Sequence, residues 1–202
     1  WKAYLLLQEC PQCGQRNRFR FILVLVACSL ASILLTLFPF AGLNFWASLP
    51  ILMFLGLIVV IDIEHRLVLH ETSLVGLVLF LVYGIILRGI LPTMLGGLGG
   101  FGIMLAFYLT VVIFVKILGK MRNRKINEVA FGFGDVSAGT FLGLLAGWPG
   151  IVGVVIVALL SFGIYALGLL IMLVITKKYR AFSNALPFAP FLVFGVIVFS
   201  YL

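Results

Sequence analysis

Long apolar segments separated by short polar ones fill this 202-residue chain, and the pattern predicts a bundle of membrane-spanning helices. A bilayer core of about 30 Å takes roughly 20 apolar residues to cross as a helix. Seven segments approach that requirement, at residues 20–39, 44–62, 72–90, 94–118, 135–148, 150–176 and 185–202. We therefore predict an all-α, polytopic membrane protein. The chain begins with Trp1 rather than Met, so a further segment before it is expected.

Composition agrees with this architecture. The chain is 64% hydrophobic and 10% charged, whereas a soluble domain carries about 25% charged residues. No stretch is polar enough for a separate soluble domain. We predict two parts, a cytoplasmic segment at residues 1–19 and a transmembrane domain at residues 20–202.

The net charge of +8 is concentrated in alternate loops. The loops on one side hold Lys2, Arg16, Arg18, Arg20, Arg66, Lys120, Arg122, Arg124, Lys125, Lys177, Lys178 and Arg180. The loops on the other side hold one basic residue, Arg88. The positive-inside rule places the basic side in the cytoplasm and the C-terminus outside. The basic loops indicate topology alone or, as the alternative, contact with anionic head groups of the lipid bilayer. Nothing in the sequence indicates nucleic acid as a partner.

The chain contains only two aspartates, and each lies where an apolar segment meets the cytoplasmic side. Asp62 ends the second segment, and Asp135 begins the fifth. Ionisable groups at membrane depth are costly and usually functional. Two carboxylates in a partly dry site cannot both stay ionised, so one holds a proton while the other stays basic. This pairing predicts the acid-base chemistry of an aspartic protease, with Asp62 and Asp135 as catalytic residues.

Glycines and prolines mark two further places. Gly132 and Gly134 precede Asp135 and allow the backbone to approach a ligand or a partner helix. Pro187 and Pro190 indicate either a helix start or a shaped wall beside the active site. The spacing of Gly96 and Gly100 favours close helix packing, with mobility for substrate entry as the alternative.

Three glutamates on the cytoplasmic side, Glu64, Glu71 and Glu128, are candidates for attracting a basic substrate, or are ordinary solvated charges. Cys10 and Cys13 form Cys-x-x-Cys, which is half of a tetrahedral zinc site. Free thiols or a redox pair are the other interpretations. Proteolysis by paired carboxylates requires no cofactor.

Four motifs resemble the prepilin peptidase family, a branch of the intramembrane aspartyl proteases. Residues 132–135, Gly-Phe-Gly-Asp, are similar to its Gly-x-Gly-Asp signature. Asp62 after Ile61 resembles its first catalytic aspartate. Residues 187–191, Pro-Phe-Ala-Pro-Phe, resemble its Pro-Phe-Gly-Pro-Phe, and residues 10–14, Cys-Pro-Gln-Cys-Gly, resemble the first cysteine pair of its bacterial zinc region.

The resemblance implies a multi-pass enzyme of the bacterial inner membrane, with its active site on the cytoplasmic side. Its substrates would be type IV prepilin or pseudopilin precursors, in pilus assembly or protein secretion. The family's second Cys-x-x-Cys and cytoplasmic insertion are missing between Gln15 and Arg20, so N-methyltransferase activity is not expected. Other departures are Val68-Leu69 without a proline, Ser137 for the usual lysine and Ala189 for the usual glycine.

Three alternatives stay open. A proton-coupled transporter also carries membrane carboxylates and glycine-rich helices, but its site usually lies near the midplane and comes from internal repeats. A protease of the presenilin type shares Gly-x-Gly-Asp, but has Tyr-Asp where this chain has Ile61-Asp62. A scaffold that binds pilins without cutting them is the third alternative, because several family positions are altered.

Overall fold

The computed structural model describes residues 29–30, 33, 36–37, 43–65, 70–122, 132–176 and 187–201. The chain divides into two compact units, Trp1–Ser48 and Leu49–Leu202. The described positions of the first unit before residue 43 are helical, and most of the predicted span 20–39 lies outside the described residues. The second unit carries the two aspartates.

From residue 43 onward, the described residues form helices and no strands, which confirms the all-α prediction. These helices are α1 Phe45–His65, α2 His70–Arg88, α3 Ile90–Arg122, α4 Phe133–Ala146, α5 Gly150–Thr176 and α6 Ala189–Tyr201. They correspond to the last six predicted spans, with ends that differ by up to four residues.

Three of the helices are long and apolar enough to cross a membrane. The qualifying stretches are Phe45–Ile63 in α1, Ile90–Ile117 in α3 and Gly150–Met172 in α5. The apolar parts of α2, α4 and α6 are shorter than 18 residues. The short fifth span was predicted from its sequence, and α4 has 14 residues. These lengths and this composition identify a membrane protein.

Glycine and proline determine where several helices begin and end. Gly89 separates α2 from α3 with φ of +85°, a conformation that side chains rarely adopt. Pro92 lies in the first turn of α3. Its missing N–H costs no hydrogen bond there, because first-turn N–H groups have no partner within the helix. Gly147, with φ of +65°, ends α4, and its N–H donates to the Gly143 carbonyl at 2.8 Å.

Helix α4 is the central helix of the second unit, and most of its residues after Asp135 are buried. It packs against α3 through glycines on both helices. A Cβ added at Gly100 would collide with the carbonyl oxygen of Gly139, and one at Gly143 would collide with that of Gly96. The register makes α3 and α4 antiparallel, and it confirms the predicted close packing at Gly96 and Gly100.

An aromatic cluster joins α1, α2 and α4. The ring centroid of Phe54 lies 5.4 Å from that of Phe80 and 6.2 Å from that of Phe141. Phe80 and Phe141 are 5.7 Å apart. Aromatic pairs at such separations stabilise a core beyond their area burial. The cluster fixes α1, which carries Asp62, relative to α4, which carries Asp135.

Candidate active site

Asp62 lies three residues before the end of α1 and is 5% exposed. Its Oδ2 accepts a hydrogen bond from the backbone N–H of Ala189 at 3.2 Å. Ala189 is the first residue of α6 and is fully buried. A carboxylate withdrawn from water in this way needs donors in the protein. The end of α1 and the start of α6 therefore meet at this carboxylate.

Asp135 lies in the first turn of α4, two residues after the helix begins. Its Oδ2 accepts a hydrogen bond from the N–H of Gly132 at 3.3 Å. The Asp135 N–H in turn donates to the Gly132 carbonyl at 3.1 Å. Gly132 is extended, with φ of −90° and ψ of 154°. A carboxylate at this position also interacts favourably with the positive end of the helix dipole.

The two aspartates are close enough for the charge of Asp62 to act on Asp135. They are 73 positions apart in the chain and come from different helices. Asp135 is half-buried, and Asp62 is buried. Two carboxylates in this relationship share their protons as a coupled pair. A pair of this kind can supply one acid and one base.

The start of α6 forms a third part of the site. Pro190 lies in its first turn, and Pro187 precedes the helix. Both prolines flank Ala189, whose N–H reaches Asp62. The segment is a helix start, as one interpretation of its sequence predicts, and its Ala189 N–H contacts the carboxylate of Asp62. A role of Pro187 and Pro190 in binding substrate stays a prediction. The N–H of Ala189 is the site group that sequence reasoning missed.

The entry into α4 is held from one side by an aromatic contact. Phe133, between the two glycines of Gly-Phe-Gly-Asp, packs edge-to-face on Tyr108 of α3 at 6.2 Å. Gly132 is exposed, and a Cβ there would find only the Gly134 nitrogen, at 3.8 Å. The space beside Gly132 is therefore not filled by another helix among the described residues.

The remaining predicted residues are not placed at the site. The side chains of Glu64 and Glu71, whose backbones lie in α1 and α2, fall outside what the structure describes. Glu128, Cys10 and Cys13 lie outside the described residues altogether. In the described part of the chain, no three metal-ligating side chains converge. The roles of these five residues stay predictions.

A family model gives independent information on this arrangement. The model of the type IV leader peptidase family matches residues 49–167, more than half of the chain. The matched stretch contains both aspartates and ends before α6. A comparison with curated proteins found no match, and a comparison with solved structures found none either. The chain therefore belongs to the type IV leader peptidase family.

Proposed function

We propose that this protein is a membrane-embedded aspartic endopeptidase that removes the leader from type IV prepilin-like precursors. The observation that carries the proposal is the placement of the chain's only two aspartates at the end of α1 and the start of α4, where the charge of Asp62 acts on Asp135. Membership of the leader peptidase family supports proteolysis in general. The paired carboxylates supply the aspartic mechanism.

The reaction follows from one proton shared by two carboxyl groups. The ionised carboxylate takes a proton from a water molecule as the water oxygen attacks the scissile carbonyl carbon. The protonated carboxyl donates to the carbonyl oxygen, which becomes a hydroxyl of the tetrahedral intermediate. Collapse of that intermediate breaks the C–N bond, and the amine leaves with a proton returned from the pair. No metal or organic cofactor takes part.

The substrate is an apolar helix with a short basic leader. By the distribution of basic loops, Asp62 and Asp135 lie at the cytoplasmic boundary of the bacterial inner membrane. A pilin or pseudopilin precursor presents its cleavage site at the same depth while its helix stays in the bilayer. Glu64, Glu71 and Glu128 are then placed on the side where the basic leader arrives. Gly132 is exposed, and we propose that its backbone and that of Gly134 contact the substrate.

The new N-terminus of the product stays unmethylated by this chain. Family members that methylate it carry a cytoplasmic insertion with a second cysteine pair. Here only six residues, 14–19, separate Cys13 from the first apolar segment. Zinc at that motif is proposed only as a structural feature outside the proteolytic site.

The test is cleavage of a membrane-embedded prepilin by the purified protein, followed by mass spectrometry with S-adenosylmethionine present. We expect release of the leader and an unmethylated product. Asp62→Asn and Asp135→Asn should each reduce cleavage by at least about 1,000-fold, because each removes one half of the acid-base pair. Ser200→Ala is the control, since it removes a polar atom from the end of α6 opposite Ala189.

Three outcomes would contradict the proposal. Normal turnover by folded Asp62→Asn protein would exclude the aspartic mechanism. Binding of prepilin without cleavage by the unaltered protein would favour the scaffold. Proton-driven uptake that depends on both aspartates, without proteolysis, would favour the transporter.

A further inference from the structure

The N–H groups of the first turn of α6 have distinct partners. The N–H groups of Phe191 and Leu192 donate to the Phe188 carbonyl, at 3.0 Å and 3.3 Å. Pro190 has no N–H to donate. The N–H of Ala189 donates to Oδ2 of Asp62 at 3.2 Å. Of the N–H groups of Ala189, Phe191 and Leu192, only that of Ala189 therefore donates to the candidate catalytic carboxylate.

Proline accounts for this arrangement. A helix leaves its first four N–H groups without intrahelical partners, and they must find other acceptors when they are buried. Pro190 removes one of these donors at no cost, because a first-turn N–H has no intrahelical role. Phe188 accepts from the next two. Ala189 is fully buried, so its N–H cannot turn to water instead.

The donor is also fixed in space. The ring of Phe188 packs edge-to-face on Phe162 of α5 at 5.4 Å, and Phe191 packs on the same ring at 5.3 Å. Further along α6, a Cβ at Gly195 would come within 2.5 Å of the Val154 carbonyl oxygen, so the backbones of α5 and α6 are in contact. The start of α6 therefore cannot move toward or away from Asp62 without disturbing its packing on α5.

We propose that the backbone N–H of Ala189 is a positioning group for catalysis, which holds Oδ2 of Asp62 and stabilises the ionised carboxylate. The inference rests on the proposed aspartic mechanism. It adds α6 to a site otherwise built from α1 and α4. The Pro-Phe-Ala-Pro-Phe segment then has a chemical role, which is to present the Ala189 N–H to Asp62. A hydrogen bond to the charged form favours that form. Burial strengthens the effect, because water does not compete with the donor.

The experiment removes the N–H without changing any side chain. Cell-free synthesis of the full chain into lipid nanodiscs allows Ala189 to be replaced by lactic acid, which puts an ester where the amide was. The matched control replaces Phe191 by phenyllactic acid, which removes a donor to the Phe188 carbonyl at the same helix start. Both variants lose one first-turn N–H, and only the first loses the donor to Asp62.

Two readouts separate positioning from general weakening of the helix. Because the chain has only two aspartates, labelling with [4-¹³C]aspartate gives two side-chain carboxyl resonances, and Asp135→Asn identifies the one from Asp62. We expect the ester at 189 to move the Asp62 resonance and the ester at 191 to leave it in place. With prepilin as substrate, the ester at 189 should lower kcat about 10- to 100-fold with little change in KM.

Equal behaviour of the two esters in both readouts would overturn the inference while leaving the proposed function intact. Failure of the unaltered chain to cleave any prepilin would instead refute the proposed function. In that case the Asp62 resonance still decides whether Ala189 holds the carboxylate, because the measurement needs no substrate.

Discussion

The two halves of α4 use glycine for opposite purposes. In the body of the helix, Gly139 and Gly143 press against Gly96 and Gly100 of α3 so closely that no side chain fits between the backbones. Just before the helix, Gly132 donates its N–H to Asp135, and a Cβ on Gly132 would meet only the Gly134 nitrogen among the described residues. The comparison teaches that one part of α4 is built for contact and the other for access. Substitutions should therefore separate stability from activity.

The largest effect is expected at the packed glycines. Gly100→Ala places a methyl group against the Gly139 carbonyl oxygen, and a backbone atom cannot move aside as a side chain can. Overpacking of this kind should destabilise the protein by about 3 kcal/mol. Unfolding in detergent micelles by a chemical denaturant measures the change.

Gly102 supplies the control for that measurement. It lies two residues further along α3, and a Cβ there meets nothing within 4 Å. Gly102→Ala should change the free energy of unfolding by no more than about 0.5 kcal/mol. Equal losses at positions 100 and 102 would show that the α3–α4 contact does not depend on glycine.

The next largest effect on stability is expected at the two carboxylates, because one accepts a buried hydrogen bond and the other an exposed one. The bond from Ala189 to Asp62 is buried, whereas the bond from Gly132 to Asp135 is exposed. Asp62→Ala should be less stable than Asp62→Asn by about 2 kcal/mol, because alanine leaves a buried N–H without an acceptor and asparagine retains one.

At Asp135, the alanine and asparagine variants should differ by much less, because water can replace the lost acceptor. Thermal unfolding of the four variants makes the comparison. A difference at Asp135 as large as that at Asp62 would mean that burial does not distinguish the two hydrogen bonds.

Sequence reasoning found the carboxylates and missed their donors for a physical reason. Asp62 and Asp135 stand out because an ionisable side chain at the edge of an apolar segment is rare. The N–H of Ala189 carries no such signal, since every residue except proline has one. Its role depends on a contact across 127 positions of sequence. The available hint was the pair of prolines at 187 and 190, which leaves few donors at the start of α6.

The helices themselves were predictable to within a few residues, because apolar length and the flanking glycines determine them. The pairing of α3 with α4 was only half predictable. The spacing of Gly96 and Gly100 indicated a close contact, and Gly139 and Gly143 repeat the same four-residue spacing on α4. Nothing local to either helix says which glycine pair meets which. That choice is made by the whole bundle.

A smaller effect on stability, with a distinct effect on activity, is expected at the open end of α4. Gly132→Ala fits the observed φ of −90°, and among the described residues its Cβ contacts only the Gly134 nitrogen, at 3.8 Å, so stability should fall by less than about 1 kcal/mol. Cleavage should fall about tenfold, because a methyl group there obstructs the close approach of substrate to the backbone. Initial rates at saturating prepilin, together with the melting temperature, test this. Unchanged cleavage would show that the glycine serves only the local backbone.

The smallest effect is expected at the end of the bundle opposite the aspartates. The guanidinium carbon of Arg88 lies 5.7 Å from the ring centroid of Phe199, in the geometry of a cation–π contact between α2 and α6. Arg88 is exposed, so the contact should contribute about 0.5–1 kcal/mol. Phe199 also packs on Gly150 and Gly153. The loss of stability in Phe199→Leu alone would therefore exceed the contribution of the cation–π contact.

A double-mutant cycle with Arg88→Met and Phe199→Leu isolates the coupling between the two side chains. We expect a coupling free energy of about 0.5–1 kcal/mol. Cleavage should not change, because both residues lie near the C-terminal end of α4, whereas Asp135 lies in its first turn. A loss of cleavage in Arg88→Met, with stability retained, would show that the two ends of the bundle are energetically linked. The division of α4 into a packed half and an accessible half would then be incomplete.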